Sequence, residues 1–448
     1  MATVSATLDH VNRNLRKLLP QRAIIDAARA AGHRWRRRKL GPAQTVILLV
    51  SQLLSCNGSL AQARALAGYR VSIAALTRAR QRLPLELLER LSAWLVAQAI
   101  ATVVAHDVSP PPATRVVLVD AANYYTPDTP ELRHRYRRPR QKTRHGDYPQ
   151  LRTLCVFDLH SGLMLAQHDF PSDRSESPQL RRALDRLGLR GGDVVIFDRA
   201  FVSYTNLCLL IERGVHVVAR LAKNLHARRG TRRVRLARLG KRDMLVRWRK
   251  PMRKPMRKPT RKPTRGRGGK YAAATPPRLW RRLPDHLDLR QIAVPASATL
   301  GSRCRRVTLI TTLLNPATHP AAKLAEWYRR RWEIETDLRH LKATLKLEFL
   351  RTRSVSNVRR ELLLRMIAYN LVRIVMLRAA APRRIEPRSI SFADACRWLT
   401  LTQLSGMSLL HLLIHPNRVR RPRPRKLKYR GKNYRLLTTR VAPQRRVA

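Results

Sequence analysis

Apolar positions fall into two regimes along the chain. Up to about residue 107 they recur every three or four places, as in TVILLVSQLLSC (45–56) and LELLERLSAWLVAQAIATVV (85–104), which predicts helices. Between these lies SLAQARALAGYRVSIAALTRARQRL (59–83), with Ser59 and Ser72 as expected N-caps and Gly68 as a helix stop. Two short helices joined by a glycine turn suit either a DNA-reading helix-turn-helix or a plain helical hairpin, and the spacing decides for neither. After SPPPA (109–113), expected as a linker, the pattern changes to short β-branched runs: RVVLVD (115–120), LRTLCVFDL (151–159), DVVIFD (193–198) and VHVVAR (215–220). A helical stretch, SPQLRRALDRLG, separates the second from the third. This alternation predicts an α/β domain with a partly parallel sheet. SGLM (161–164) reads as a hairpin turn returning LAQHDF as a strand, so the first strands pair antiparallel.

The pattern collapses over 227–270, where 20 of 44 residues are Lys or Arg and Asp243 is the sole acid. Within it RKPM-RKPM-RKPT-RKPT (249–264) puts proline at every fourth position, which forbids a helix or a strand ladder and predicts an extended, disordered arm. Its expected role is sequence-independent phosphate contact, with repeat expansion in a tolerant loop as the alternative. LDLRQIAVPA (287–296) and RRVTLITTLL (305–314) resume as strands, followed by a long helix over about 321–349 and another over 360–379. The tail 415–448 carries 13 Lys/Arg and no acid, interleaved with Tyr429 and Tyr434, and reads as a second phosphate-tracking segment.

Charge then narrows the function. With 92 Lys+Arg against 28 Asp+Glu the formal net charge is +64, which calls for a polyanion partner such as DNA or RNA and excludes an ordinary metabolic enzyme. Charge alone does not separate a nucleic-acid enzyme from a passive binder. Cys56, Cys155, Cys208, Cys304 and Cys396 are scattered, so neither a zinc ribbon nor a disulfide framework is expected. The N-terminus lacks a signal-peptide pattern and the apolar runs are too short for a bilayer, so a cytoplasmic protein is expected.

The chemistry must come from the scarce acids. Asp120 and Asp198 each close an apolar strand, where open α/β sheets place ligands; singly, each is more often a turn or cap residue. The helix EWYRRRWEIETDLRHLKATLKLEFL (326–350) supplies a third. At about 100° per residue from Tyr328, Arg331 falls near −60°, Lys342 near −40° and Glu335 near −20°, a single stripe. Trp327, Ile334, Leu338, Leu341 and Leu345 take the adjacent arc and are expected to face the core, while Glu326, Glu333 and Asp337 fall opposite, toward solvent. Glu335 is thus the acid at the border of the buried face; a charged helix side held by i,i+4 pairs is the competing reading. Three converging carboxylates form a hard oxygen site suited to Mg²⁺ or Mn²⁺, and two such ions drive in-line displacement at phosphorus.

These residues resemble the DDE transposases of the bacterial insertion-sequence-four family. Tyr328, Arg331, Glu335 and Lys342 complete that family's Y-x2-R-x3-E-x6-K signature. LVDAANYYTPDTPE around Asp120, IFDRAFVSYTNLCLLIERGVHVVARL around Asp198, and the closing SFADACRWL and RPRPRKLKYRGKNYRLL are also similar, so the likeness runs from about 35 to 440. The resemblance implies a ribonuclease-H-like α/β core interrupted by a β-rich insertion. The implied organisation is a helical DNA-binding domain (1–107), a first core part (108–223), a basic, partly disordered insertion (224–320), core helices with the glutamate (321–380) and a basic DNA-binding or dimerisation segment (381–448). It implies that Asp120, Asp198 and Glu335 are catalytic and bind Mg²⁺ or Mn²⁺, and that Tyr328, Arg331 and Lys342 contact phosphates. Arg199, beside Asp198, and Arg78 and Arg82 in the second short helix are expected as further DNA contacts. The implied partners are double-stranded transposon ends and target DNA, bound by a homodimer; the reaction is cleavage at the element ends and strand transfer. A ribonuclease-H-like nuclease without strand transfer, or a non-catalytic binder, is the alternative. Relatives stack a flipped base on an aromatic ring; Trp248 and Trp280 are candidates, though a core or surface tryptophan is the plainer reading. The RKP repeat, and Ala121 where relatives often carry glycine, depart from the family pattern.

Overall fold

The computed structural model describes residues 8, 11–36, 38–105, 114–138, 148–221, 233–251, 275–295, 306–414, 426–428 and 434–436. The SPPPA stretch, the RKP repeat beyond 251 and most of the basic tail lie outside the described residues; within the tail, 426–428 and 434–436 pair as two short antiparallel strands.

The N-terminal helices are α1 (Arg13–Leu18), α2 (Gln21–Ala30), α3 (Pro42–Leu54), α4 (Leu60–Leu66), α5 (Ile73–Arg82) and α6 (Leu85–Ala105). Local chemistry sets several of their ends. The Ser59 hydroxyl accepts from Gln62 N–H at 3.3 Å and the Ser72 hydroxyl from Ala75 N–H at 3.1 Å, as expected of N-caps. Gly68, at φ +58°, ends the α4 turn. Every residue of α3 is buried, because α2 and the Val355–Ala380 helix pack against it. α6 packs on that same long helix. One apolar core therefore runs from these helices to the sheet face carrying Val116, Leu118, Val194 and Ile196.

The sheet has nine strands: β1 (Val116–Tyr125), β2 (Gln150–Asp158), β3 (Met164–Pro171), β4 (Val194–Phe197), β5 (His216–Arg220), β6 (Arg233–Gly240), β7 (Asp243–Arg249), β8 (His286–Pro295) and β9 (Arg306–Thr311), in the order β3-β2-β1-β4-β5-β9-β8-β7-β6. β1, β4 and β5 are parallel and every other pairing is antiparallel, giving the mixed α/β sheet expected from the alternating runs. The hairpin at 159–163 requires its glycine. Gly162 sits at φ +70°, and a Cβ there would lie 2.8 Å from the Arg373 guanidinium carbon. The far face of the sheet is covered by the helices Glu176–Ala183 and Tyr204–Glu212, which make the crossovers that parallel strands need.

The strands of the 233–311 region extend the same sheet rather than forming a separate one, since β9 pairs with β5. Arg290, fully buried on β8, holds this extension: its Nε donates to Asp243 Oδ1 at 2.8 Å and its Nη1 to the His319 carbonyl at 2.6 Å. Trp248 and Trp280 are buried in the core on this side, in line with the plainer of their two readings.

Three expectations need correction. β1 does not end at Asp120 but continues to Tyr125, because β2 pairs with it along its whole length. The helix expected over 321–349 is broken into an α-helix (Ala321–Arg330), a second (Glu333–Arg339) and a π-turn (His340–Thr344). Asp337, expected in solvent, is fully buried, and Glu333 beside it is only partly exposed; Arg388 binds both and Arg373 binds Asp337.

Candidate active site

The parallel register places the two aspartates. β1 and β4 pair residue by residue up to Val119 opposite Phe197, so Asp120 and Asp198 are the next residues on neighbouring strands. Neighbouring strands run about 4.8 Å apart. Side chains alternate between faces, and both acids share parity with Leu118 and Ile196, whose face carries the helices after 321. Each carboxylate accepts from the next backbone amide, Asp120 from Ala121 at 2.8 Å and Asp198 from Arg199 at 2.7 Å. Neither makes an ion pair with a described residue, in a chain rich in cations.

Burial raises the Asp120 pKa above the usual carboxylate range. The Ala121 amide, Arg331 and Lys342 oppose that shift, and the Asp198 charge adds to it. Cys155, opposite Asp120 on β2, is fully buried, and its thiol is pushed upward by burial and then by Asp120.

The signature residues arrive on the broken helix. Between Tyr328 and Glu335 the backbone tightens to i→i−3 bonds: Arg331 N–H to the Tyr328 carbonyl, Ile334 to Arg331 and Glu335 to Trp332, at 3.2–3.3 Å. Arg331 is buried, its guanidinium 4.8 Å from the Trp332 ring centroid and its Nη2 3.8 Å from Glu335 Oε1. The Arg331 Nε is buried with no hydrogen-bond partner among the described residues. Lys342 lies in the π-turn, its Nζ 5.6 Å from the Tyr124 ring centroid. Burial raises the Tyr328 hydroxyl pKa, an effect opposed by Arg331 and reinforced by Asp198. Tyr328, Arg331 and Lys342 therefore gather beside the two aspartates. Glu335 is half exposed and reaches toward Arg331, and no set of three acidic, His or Cys side chains among the described residues is arranged to hold a metal ion. Arg199 is exposed at the mouth of the site, whereas Arg78 and Arg82 lie exposed on α5 in the helical N-terminal region.

Sequence reasoning missed Glu176. It starts the helix Glu176–Ala183 and is bound by Arg152 at 2.9 Å, while Arg152 Nε donates to Asn123 of β1 at 2.7 Å. Burial raises the Glu176 pKa; Arg152 opposes the rise, and both Asp120 and Asp198 reinforce it. The residue stands in no recognisable motif, so only the fold brings it near the pair.

Residues 111–371 match the transposase DDE domain family. The chain is 25% identical over 332 residues to transposase InsG for insertion sequence element IS4 of Escherichia coli (strain K12), an alignment covering 73% of this chain and 66% of that protein. It thus spans slightly under two thirds of that relative's length. A piggyBac transposase in a synaptic complex with hairpin DNA is a distant structural likeness, at TM-score 0.40 and 11% identity, covering 88% of this chain and 79% of that one. Asp120, Asp198, Tyr328, Arg331, Glu335 and Lys342 all fall inside the matched span, and the chain belongs to the transposase DDE domain family.

Proposed function

We propose that this protein is a DNA transposase whose ribonuclease-H-like core cleaves DNA at insertion-sequence ends and joins them to target DNA. The observation that carries the reading is the register-matched pair Asp120 and Asp198, unpaired by any described cation, with Arg331 and Lys342 beside it. Passive binding gives no reason for two half-buried carboxylates to face each other across neighbouring strands of so basic a protein.

Asp120 and Asp198 offer hard oxygen donors that fit a divalent cation, Mg²⁺ or Mn²⁺, and Glu335 would complete the set on leaving Arg331; such a cation lowers the pKa of bound water and stabilises a leaving oxygen. The protein's own part is to bind and orient the strand. Arg331 presents a buried guanidinium with an unsatisfied Nε, suited to a phosphate, and Lys342 adds a second positive charge. A phosphate on Arg331 competes with Glu335 for the guanidinium and so releases the glutamate toward the aspartates. Tyr328 donates its hydroxyl to the same backbone, since burial keeps that hydroxyl protonated. Arg199, and Arg78 and Arg82 on α5, extend the DNA contacts, with residues 1–107 as the helical DNA-binding domain and 381–448 as a basic DNA-binding or dimerisation segment. The core parts are 108–223 and 321–380, and 224–320 is the insertion between them. The protein acts in the bacterial cytoplasm as a homodimer on paired ends.

The test uses the full chain with DNA carrying the element ends and Mg²⁺ or Mn²⁺. Asp120→Asn, Asp198→Asn and Glu335→Gln are each expected to lower nicking at least 100-fold while DNA affinity stays within about threefold. Cleavage that survives these substitutions would sink the assignment. Cleavage without joining would identify a nuclease instead.

A further inference from the structure

Among the N-terminal helices, the segment after α2 and the end of α5 line a half-open cavity of about 240 Å³. Its wall carries His33, Trp35, Arg34, Arg36, Arg38 and Arg82 and holds no acid. None of these four arginines forms an ion pair with a described acid. The four guanidiniums are exposed, and a concavity lined by charge of one sign focuses the field and concentrates anions. The cavity is also more than an anion site. Trp35 is half-buried and stacked on His33, with ring centroids 5.6 Å apart and planes at 23°, and Leu40 and Leu83 add apolar wall. The start of α3 at Gly41 and Pro42 closes one side. Burial, and then Arg82, hold the His33 imidazole below its ordinary pKa, so at neutral pH the ring adds apolar surface rather than charge.

An anion bonded to a flat apolar group satisfies both halves of this wall. We propose that the cavity receives one unpaired nucleotide, its phosphate on the guanidiniums of Arg34, Arg36, Arg38 and Arg82 and its base against Trp35. The volume lies just under the ~300–1,000 Å³ of small-molecule pockets, the right scale for a single nucleotide that is still attached to a strand. A base held in a duplex stack presents only its edge and cannot enter such a concavity, whereas a single-stranded base offers its face to an aromatic ring. The inference rests on the DNA-acting reading above and adds to it a preference for single-stranded ends or overhangs at the N-terminal helices. A free mononucleotide has the same chemistry and is separated by experiment.

The experiment irradiates the full-length protein with duplex DNA bearing 5-iododeoxyuridine in a single-stranded overhang, or at an internal paired position, or with free 5-iododeoxyuridine monophosphate. Crosslinked peptides are then mapped by mass spectrometry. The overhang is expected to crosslink within residues 33–41 and the internal base is not. Crosslinking by the free nucleotide alone would make a soluble nucleotide the ligand and overturn the strand assignment. Trp35→Ala and Arg38→Ala are each expected to weaken overhang binding about five- to tenfold relative to a blunt duplex, and Trp35→Phe to retain it. Equal weakening toward both DNAs, or no crosslink at 33–41 in any arm, overturns the proposal. Element ends cleaved without this crosslink leave the transposase reading intact and remove the pocket; the crosslink without cleavage does the reverse.

Discussion

Asp337 stands two positions from Glu335, yet the two carboxylates meet opposite fates. Asp337 is fully buried: Arg373 donates to its Oδ1, and Arg388 donates to both oxygens at 2.8 and 3.0 Å. Burial alone would raise its pKa, but the two guanidiniums overturn that effect and hold it below the ordinary value. Removing one member of a buried ion set strands the others, at about 3–5 kcal/mol. Asp337→Asn is therefore expected to lower unfolding stability by several kcal/mol, read as a fall in the urea midpoint. A loss below about 1 kcal/mol would mean that Arg373 and Arg388 find other partners. The sequence put Asp337 on the solvent side because a helical wheel counts only neighbours along the helix. Its partners lie 36 and 51 positions away, and nothing in the local pattern announces them. Glu176 was missed for the same reason. Asp120 and Asp198 were legible because an acid after an apolar run is a local feature and parallel pairing does the rest.

The contrast repeats among elements. The bounds of α4 and α5 could be read from Ser59, Gly68 and Ser72, because caps are made within a few residues. The break at 331–332 could not, since no proline or glycine marks it and the segment has helical periodicity throughout. Tightening at 328–335 is followed by loosening in the π-turn, so the stripe predicted at 100° per residue survives only in part: Arg331 turns inward while Glu335 stays half exposed. His340 opens that π-turn, with its ring stacked on Phe392 at 4.2 Å between centroids. Burial, followed by the charge of Arg373, lowers its pKa to about 3. The unfolded chain takes up this proton below about pH 6.5 while the folded chain does not, so stability is fully present above that pH. It falls by up to roughly 1.4 kcal/mol per pH unit as the pH drops toward 3. His340→Phe keeps the stack and removes the proton site. Its urea midpoint is expected to fall less than that of the parent between pH 6.5 and 4.5, a window that lies above the titration of Asp337; parallel curves would rule out the mechanism.

For the whole molecule, the excess of 92 cations over 28 acids has a structural division of labour. Some arginines are internal fasteners: Arg290 ties the β7–β8 extension through Asp243, and Arg365 binds Glu361 and the Phe349 carbonyl at 2.6 Å each. Asp243, the one acid of the basic 227–270 stretch, is thereby accounted for as the partner of a fully buried guanidinium. Residues 415–448 add 13 cations and no acid to this excess, and the effect of so large a net positive charge is long-range attraction for a polyanion. Among the described residues no helix is long and apolar enough to cross a membrane. Binding that neutralises Z phosphates releases counterions, with a slope of log K against log salt near −0.9Z. If the tail grips backbone phosphates, deleting 415–448 makes that slope shallower and weakens all duplexes alike, whatever their sequence. Asp198→Asn, by contrast, leaves the slope unchanged and removes cleavage. Titrations of the full and shortened chains from 50 to 300 mM salt, with element-end and unrelated DNA, separate these contributions. Equal slopes for the two chains would show that the tail's cations are spent on the protein itself, and the grip on DNA would then have to come from the other basic surfaces, Arg78 and Arg82 among them.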